Sequence, residues 1–207
     1  RMVSLFGRLD YIFDDRYMFG VTVRRDGSSV FGPRARWGNF PSFSAGWRIS
    51  QEKFMKNVRW ISDLKLRASY GILGSANNVS SLNQFSTYAV DLYGSSYNIQ
   101  GDGQSSVAGI IRDRIGNYFT SWERDKVLNF GLDASLFNYA WDFQLDFYKK
   151  SIDGLLLTEP LPSVIGALVS APKINVGDIQ NTGFDFSTKY KFKAGAFSNE
   201  ISVNFGT

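Results

Sequence analysis

The chain has 207 residues, with 23 Lys plus Arg against 19 Asp plus Glu, so its formal net charge of +4 does not indicate a nucleic-acid partner. It contains neither Cys nor His, which excludes disulfide frameworks, thiolate or imidazole zinc sites, and Ser/His or Cys/His nucleophile systems. Aromatic residues make up 16% of the chain, and 20 Gly stand against 5 Pro, a composition that favours many strands joined by turns. The composition therefore favours an all-β chain, excludes most familiar hydrolase chemistry, and gives no indication of a cofactor or a metal.

Strict alternation of apolar and polar residues is the dominant pattern, and alternation at period two is typical of strands. In the first half of the chain it covers residues 3–13 and 17–26, which predict a hairpin around the polar turn 14–16. Residues 42–49 and 64–72 show the same pattern. The first half of the chain thus predicts four strands with two chemically different faces.

The second half of the chain repeats this rhythm. Residues 128–136 and 142–148 alternate around a turn at 138–140, and residues 184–192 and 200–205 alternate in the same way. The remaining periodic segment is 51–61, where Phe54, Val58 and Ile61 have helical spacing, so we expect at most a short helical turn there. No internal repeat and no domain boundary are evident.

The connections between these strands alternate in length. Short ones fall at 14–16, 138–140 and 194–197, and an intermediate one at 51–62, whereas long ones fall at 28–39, 74–124 and 153–180. In an antiparallel meander successive connections lie at opposite ends, so all the long loops are predicted at one end of the sheet. This asymmetry is typical of bacterial outer-membrane barrels.

The two predicted faces differ in charge, because the apolar face has almost no ionisable residues. A barrel lumen tolerates charges, whereas Arg or Lys at the middle of the lipid face costs about 2 to 4 kcal/mol. A soluble β-sandwich would also alternate, and covered side chains at Phe130, Leu132, Phe143, Leu145 and Phe184 would indicate it. For a barrel, the predicted lumen-facing charges are Arg24, Asp26, Arg67, Asp133, Asp142, Asp146, Asp185 and Lys189.

Longer motifs resemble the SusC/RagA family of TonB-dependent outer-membrane transporters. They are VTVRRDGSSVFGPRARWGNFPSFSAGWRIS, KFMKNV, SDLKLRASYGILGS, SWERDKVLNFGLDASLF, DFYKKSIDGLLLTEPLPSVIG and NVGDIQNTGFDF, in family order over nearly the whole chain. Two departures are small: the family often has Gly-Asn where this chain has Gly74-Ser75, and often Glu where it has Asp185.

The resemblance implies an antiparallel transmembrane β-barrel segment, about eight strands of a barrel of about 22, with short periplasmic turns and long extracellular loops. It also implies a Gram-negative outer-membrane location in contact with lipid, a SusD-like surface lipoprotein, and energy supplied by TonB. We expect residues 1–207 to be part of the barrel domain, with the plug, the TonB-contacting segment and the C-terminal strands outside them.

The implied function is TonB-dependent uptake of an oligosaccharide, a peptide or a similar large nutrient. A soluble carbohydrate-binding sandwich and a passive structural barrel are the alternatives.

Ligand contacts are expected in the long loops, because loops on a rigid barrel can vary without disturbing the wall. The candidates combine hydrogen-bonding groups with flat aromatic surface and are Asp113, Arg114, Asn117, Tyr118 and Trp122. Asp142 and Asp146 share a face but lie about 13 Å apart along a strand, too far for a glycosidase carboxylate pair. Asp102 lies between two glycines, but the spaced acids of an EF-hand are absent there.

Overall fold

The computed structural model describes residues 1–77, 79–91, 95–99, 101, 106–165 and 169–207. The strands are β1 (Met2–Phe13), β2 (Tyr17–Ser28), β3 (Trp37–Arg48), β4 (Ile61–Ser75), β5 (Thr87–Asp91), β6 (Gly109–Arg114), β7 (Glu123–Leu136), β8 (Trp141–Asp153), β9 (Leu156–Thr158), β10 (Lys173–Asn175), β11 (Asp178–Ala194) and β12 (Phe197–Gly206). Among the described residues the helical elements are three short 3₁₀ helices at Ile49–Gln51, Lys53–Met55 and Ser163–Ile165.

Eight of the strands form one antiparallel sheet in the order β1-β2-β3-β4-β7-β8-β11-β12. The eight predicted strands and the all-β antiparallel fold are thus confirmed. The strands extend further toward the long loops than predicted. In β7 and β8 many of the added residues are charged, which interrupts the alternation while backbone pairing continues. The predicted helical turn at 51–61 is shorter than its spacing suggested and is 3₁₀ in character.

The strands are staggered, and the stagger shows how strongly they tilt. The hydrogen-bonded row that begins at Phe13, beside the first hairpin turn, crosses the sheet and reaches β12 at Phe205. Its intermediate members are Tyr17, Trp47, Leu66, Leu132, Leu145 and Phe186. Phe205 lies eight residues beyond Phe197, where the last hairpin turns. This is about 27 Å of displacement over seven strand spacings, or about 34 Å of sheet width, which corresponds to a tilt of roughly 39°, close to that of membrane barrels.

The apolar face of the sheet has no protein layer over it within the described residues. Its central row consists of Phe19, Ala45, Ala68, Phe130, Phe147 and Phe184. Phe130 is 54% exposed, and Leu132, Phe143, Leu145 and Phe184 are only partly covered by their neighbours in the same sheet. A soluble sandwich would cover these side chains with a second sheet. The structure therefore shows the single layer of a barrel wall, and the sheet ends at β1 and β12 without closing on itself.

No helix within the described ranges is long and apolar enough to cross a membrane.

The short connections turn tightly through left-handed backbone conformations. Asp14 and Asp15 have φ values of 52° and 53°, and Phe137, Asn138 and Tyr139 have values between 51° and 63°. Asp and Asn tolerate this region better than most residues, because their short polar side chains can hydrogen-bond locally. Phe13 carbonyl oxygen accepts a 3.0 Å hydrogen bond from the Arg16 N–H and closes the first turn.

A carboxylate anchors the turn side of β2 and β3. Glu52, between the first two 3₁₀ helices, accepts hydrogen bonds from the Tyr17 hydroxyl at 2.7 Å and the Trp47 indole N–H at 3.1 Å. Arg16 Nη1 lies 3.3 Å from the second oxygen of the same carboxylate. These donors hold the pKa of Glu52 below its ordinary value, although partial burial acts in the opposite direction. Two aromatic rings at one edge of the apolar face are thereby held in place.

We predict that Ala68→Arg destabilises the full-length protein by about 2 to 4 kcal/mol, because Ala68 lies in the central row of the lipid face. The matched control is Ser69→Arg on the opposite face of the same strand, where the added charge meets water and the cost is small. Urea unfolding of both variants in lipid vesicles measures the difference. Equal costs for the two variants would contradict the assignment of the faces.

The Glu52 contacts predict a pH dependence of stability. A carboxylate whose folded pKa is lowered stabilises the fold above its ordinary pKa of 4.5, and this contribution is lost as pH falls through the lowered value. Wild type should therefore be more stable than Glu52→Gln at neutral pH, and the gap should shrink in acid. Thermal unfolding of the two full-length proteins across this pH range is the measurement; a gap that widens in acid would refute the prediction.

Candidate functional site

The polar face of the sheet has an ionic network centred on Arg67 in β4. Its guanidinium donates to both carboxylate oxygens of Asp133 at 2.7 and 2.8 Å, and to Asp146 on β8 at 3.1 Å. Asp146 also accepts a 3.0 Å hydrogen bond from the Gln144 amide. Arg67 thus joins strands β4, β7 and β8 across the polar face through charge-assisted hydrogen bonds.

The contact between Arg67 and Asp146 is possible because the strand between them has a glycine at this position. Gly131 on β7 lies directly between Arg67 and Asp146 in the hydrogen-bonded row. A Cβ at position 131 would lie 2.5 Å from Asp146 Oδ1 and 2.7 Å from Arg67 Cζ. Because glycine has no side chain, the arginine can cross the intervening strand and contact the second carboxylate.

The register places all eight predicted charges on this polar face, opposite the apolar rows. Arg24 donates to Asp26 at 2.8 Å, and Asp26 is only 2% exposed. Asp142 accepts hydrogen bonds from Ser135 at 2.8 Å and Lys191 at 3.0 Å.

Two of the eight lie on β11. Lys189 pairs with Glu200 on β12 at 3.0 Å. Asp185 lies directly opposite Asp146 in the register, so two like charges face each other across adjacent strands. That all eight charges face a lumen remains a prediction.

The long loops pack around a small aromatic core at the other end of the sheet. Phe31, Phe40 and Trp122 form it, and the Trp122 ring centroid lies 4.9 Å from that of Phe31 and 5.4 Å from that of Phe40. Phe40 occupies the space over Gly74, where an added Cβ would overlap its ring. The first long loop and the residue before β7 are thus packed against the loop end of β3.

Buried amides connect the loops to each other. Asn83 donates to Thr120 Oγ1 at 2.9 Å and accepts from the Lys173 N–H at 2.7 Å, and both Asn83 and Thr120 are buried. Asn175 accepts from the Ser121 N–H at 2.7 Å and donates to the Gly154 carbonyl oxygen at 2.8 Å. Three loop segments are thereby held together by side chains that satisfy buried backbone groups.

The predicted ligand residues do not share one environment. Trp122 is 5% exposed, and its indole N–H donates to the Arg36 carbonyl oxygen at 3.3 Å, so it packs the loop core instead of presenting a free surface. Asp113 accepts a 3.2 Å hydrogen bond from Thr87 across the β5–β6 hairpin. Asn117 Oδ1 accepts from the Phe119 N–H at 3.0 Å. Tyr118 is 44% exposed and leaves its ring accessible.

Arg114 ends β6, where it forms an isolated bridge with Ser170. Ligand contact for these five loop residues stays a prediction. Asp102 lies outside the described residues, and within the described part of the chain no three acidic side chains gather as a metal site would require.

Sequence reasoning missed Asn83, Thr120 and Asn175. Each is a common polar residue in a loop, and nothing in its local sequence distinguishes a buried cross-link from an exposed side chain. Only long-range contacts, 37 to 90 residues apart in the chain for Asn83, assign them their positions.

Comparison with known proteins places this geometry in context. Residues 1–206 match the family model described as TonB dependent receptor-like, beta-barrel. The chain is 36% identical over 203 residues to TonB-dependent receptor P39 of Formosa agariphila, and 37% identical over 191 residues to TonB-dependent receptor SusC of Bacteroides thetaiotaomicron. These alignments cover 98% and 92% of this chain.

The fold is similar to that of a solved structure, the RagAB peptide importer in its closed-closed state. The TM-score is 0.80 at 30% sequence identity, and the match covers 99% of this chain and 22% of that chain. The two curated relatives are each covered over 18% of their length, so this chain spans about a fifth of the proteins it resembles.

The glycine within the Arg67 network generates a prediction. Gly131→Ala should destabilise the full-length protein by about 1 kcal/mol, because the new methyl group separates Arg67 from Asp146. Gly46→Ala, in the same row on the other side of Arg67, is the control, since its Cβ would meet only the flexible ends of Met18 and Lys65 at 3.3 and 3.4 Å. Urea unfolding in lipid vesicles measures the free energy of unfolding of both variants. An equal loss of stability in Gly46→Ala and Gly131→Ala would refute this account.

Proposed function

This chain belongs to the TonB-dependent receptor-like β-barrel family of the outer membrane, and from that membership we propose that the whole protein imports a large nutrient. The nutrient class is a glycan, a peptide or a similarly large molecule. Transport, and not catalysis, is the proposed activity. Residues 1–207 contribute part of the barrel wall to it.

One observation supports the proposal most directly: 99% of the chain superimposes on part of the RagAB peptide importer with a TM-score of 0.80. The staggered sheet supports it independently, since its uncovered apolar face suits lipid and its charged face suits a wet lumen. Relatedness to a protein named SusC is a third, sequence-based support.

The proposal includes parts that lie outside residues 1–207. A plug domain blocks the barrel, a segment on the periplasmic side receives energy from TonB, and a SusD-like lipoprotein covers the extracellular mouth. Further strands, the C-terminal ones among them, close the barrel. The support for these parts is membership of the family and the relatives' greater length.

Within this chain, the loop surface around Tyr118 is the proposed contact with nutrient. Tyr118 presents an accessible ring, and Asp113, Arg114 and Asn117 supply polar groups nearby along the chain. Flat aromatic surface with a few hydrogen-bonding groups suits both sugar rings and peptide backbones. The cross-linked loops beneath would hold these groups in place, so less conformational entropy is lost on binding.

Uptake by whole cells tests the activity. Cells with the full-length gene should take up either a labelled oligosaccharide mixture or a labelled peptide mixture, and deletion of the gene should abolish uptake of one of them. Loss of TonB should have the same effect, because transport against a gradient requires energy. Uptake that persists without TonB would instead favour a passive structural barrel, and complementation with the full-length gene is the control.

A tyrosine pair tests the loop contact. Tyr118→Ala should raise the apparent KM for the transported mixture about tenfold, the effect of about 1.4 kcal/mol of lost binding. Tyr139→Ala removes a tyrosine of similar exposure, 55% against 44%, from a short turn at the opposite end of the sheet, and should leave KM unchanged. If both variants behave like wild type, nutrient binds elsewhere.

A further inference from the structure

Arg25 is a cation on the outward face of the wall. The side chains that precede it on this face of β2 are Tyr17, Phe19, Val21 and Val23. Its direct cross-strand neighbours are Leu5 on β1 and Asn39 on β3, both uncharged. Because β2 has a paired strand on each side, the rest of a barrel cannot cover this position from outside.

The ring of Trp37 lies beside Arg25 on the same face. The Arg25 guanidinium carbon is 5.0 Å from the centroid of the Trp37 ring, a cation–π geometry. A Cβ at Gly27, which points outward like Arg25, would lie 2.7 to 2.9 Å from three carbons of that ring. Gly27 therefore leaves the space in which the indole lies flat against the wall beside the cation.

No acid neutralises this patch. On the outward faces of β1–β4, strands that the structure describes in full, there is neither Asp nor Glu. None occurs between Asp26 and Glu52 in the sequence either, and Asp26 is buried with Arg24 on the other face.

The height of the patch corresponds to the outer edge of the apolar band. Arg25 lies eight residues beyond Tyr17, about 27 Å along the strand and about 21 Å along the membrane normal at a tilt of roughly 39°. The apolar band of such barrels is about 25 Å tall. Two outward-facing lysines, Lys126 on β7 and Lys149 on β8, also lie where the apolar rows end. There, however, Asp153 pairs with Lys126.

We propose that Arg25 and Trp37 form a binding site on the outer wall for the phosphate groups of anionic outer-leaflet lipids. Arginine forks match phosphate oxygens, and the indole suits the boundary between acyl chain and headgroup. Charge complementarity selects an anionic headgroup, and the outward position on an interior strand selects a membrane lipid. This site is separate from nutrient uptake and rests only on the barrel's location in the outer membrane.

Lipid binding to the full-length protein tests the site. The protein is reconstituted in phosphatidylcholine with and without phosphatidic acid, a lipid with a phosphate monoester, and retained phosphatidic acid is counted by native mass spectrometry. Arg25→Gln should weaken retention about fivefold, the usual effect of one basic residue at a lipid surface. Arg25→Lys should retain part of it. The matched control is Arg112→Gln, since Arg112 lies 5.7 Å from the Tyr88 ring centroid in the loop hairpin, away from the wall.

Several outcomes would overturn the site. Unchanged retention in Arg25→Gln, or equal loss in Arg112→Gln, would do so. A change in oligomeric state with unchanged lipid retention would make this face a protein contact. Inorganic phosphate binding as strongly as phosphatidic acid would remove the lipid from the assignment. If Arg25→Gln fails to fold, Trp37→Leu, which keeps the cation and removes the indole from it, decides by the same readout.

Discussion

Backbone hydrogen bonding in a medium without water is the constraint on which the rest of this structure depends. Each strand in hydrocarbon must pair its N–H and C=O groups with a neighbour, because an unpaired group costs several kcal/mol there. A laterally paired ladder satisfies this requirement and leaves each side chain on one of two faces. The eight-stranded sheet is such a ladder, with unpaired edges at β1 and β12 that further strands of the proposed barrel would cover.

The strands of this ladder are tilted, and the tilt sets the height in the membrane at which the side chains of each face lie. Since the strands are staggered, a hydrogen-bonded row rises through the membrane instead of lying parallel to it. The apolar stretch therefore shifts along successive strands, and outward charges such as Arg25 and Lys149 occur in different rows at a similar height. On the inner face the same geometry puts Gly131 between Arg67 and Asp146, so that one arginine spans two strand spacings. The charged residues of the polar face thus also connect neighbouring strands to each other.

The loops follow different rules, because they lie beyond the apolar band and pack as a small soluble domain would. Phe31, Phe40 and Trp122 supply the apolar core, and Asn83 and Asn175 satisfy backbone groups between segments. This packing gives Trp122, an aromatic residue of a long loop, a structural role in the loop core. The exposed Tyr118 follows Asn117, whose N–H donates to the carbonyl oxygen of the buried Asn83 at 2.7 Å.

The sequence by itself determined the approximate strand positions, the short-turn and long-loop ends, and the shared face of charges such as Arg67, Asp133 and Asp146, because alternation at period two is a local property of an extended chain. It also determined the family, through motifs such as VTVRRDGSS. Tertiary structure alone decided the tilt, the burial of Trp122, the contact of Arg67 with Asp146 and the stacking of Trp37 on Arg25. These depend on register between strands and on contacts between loops far apart in the chain, and no local pattern encodes either.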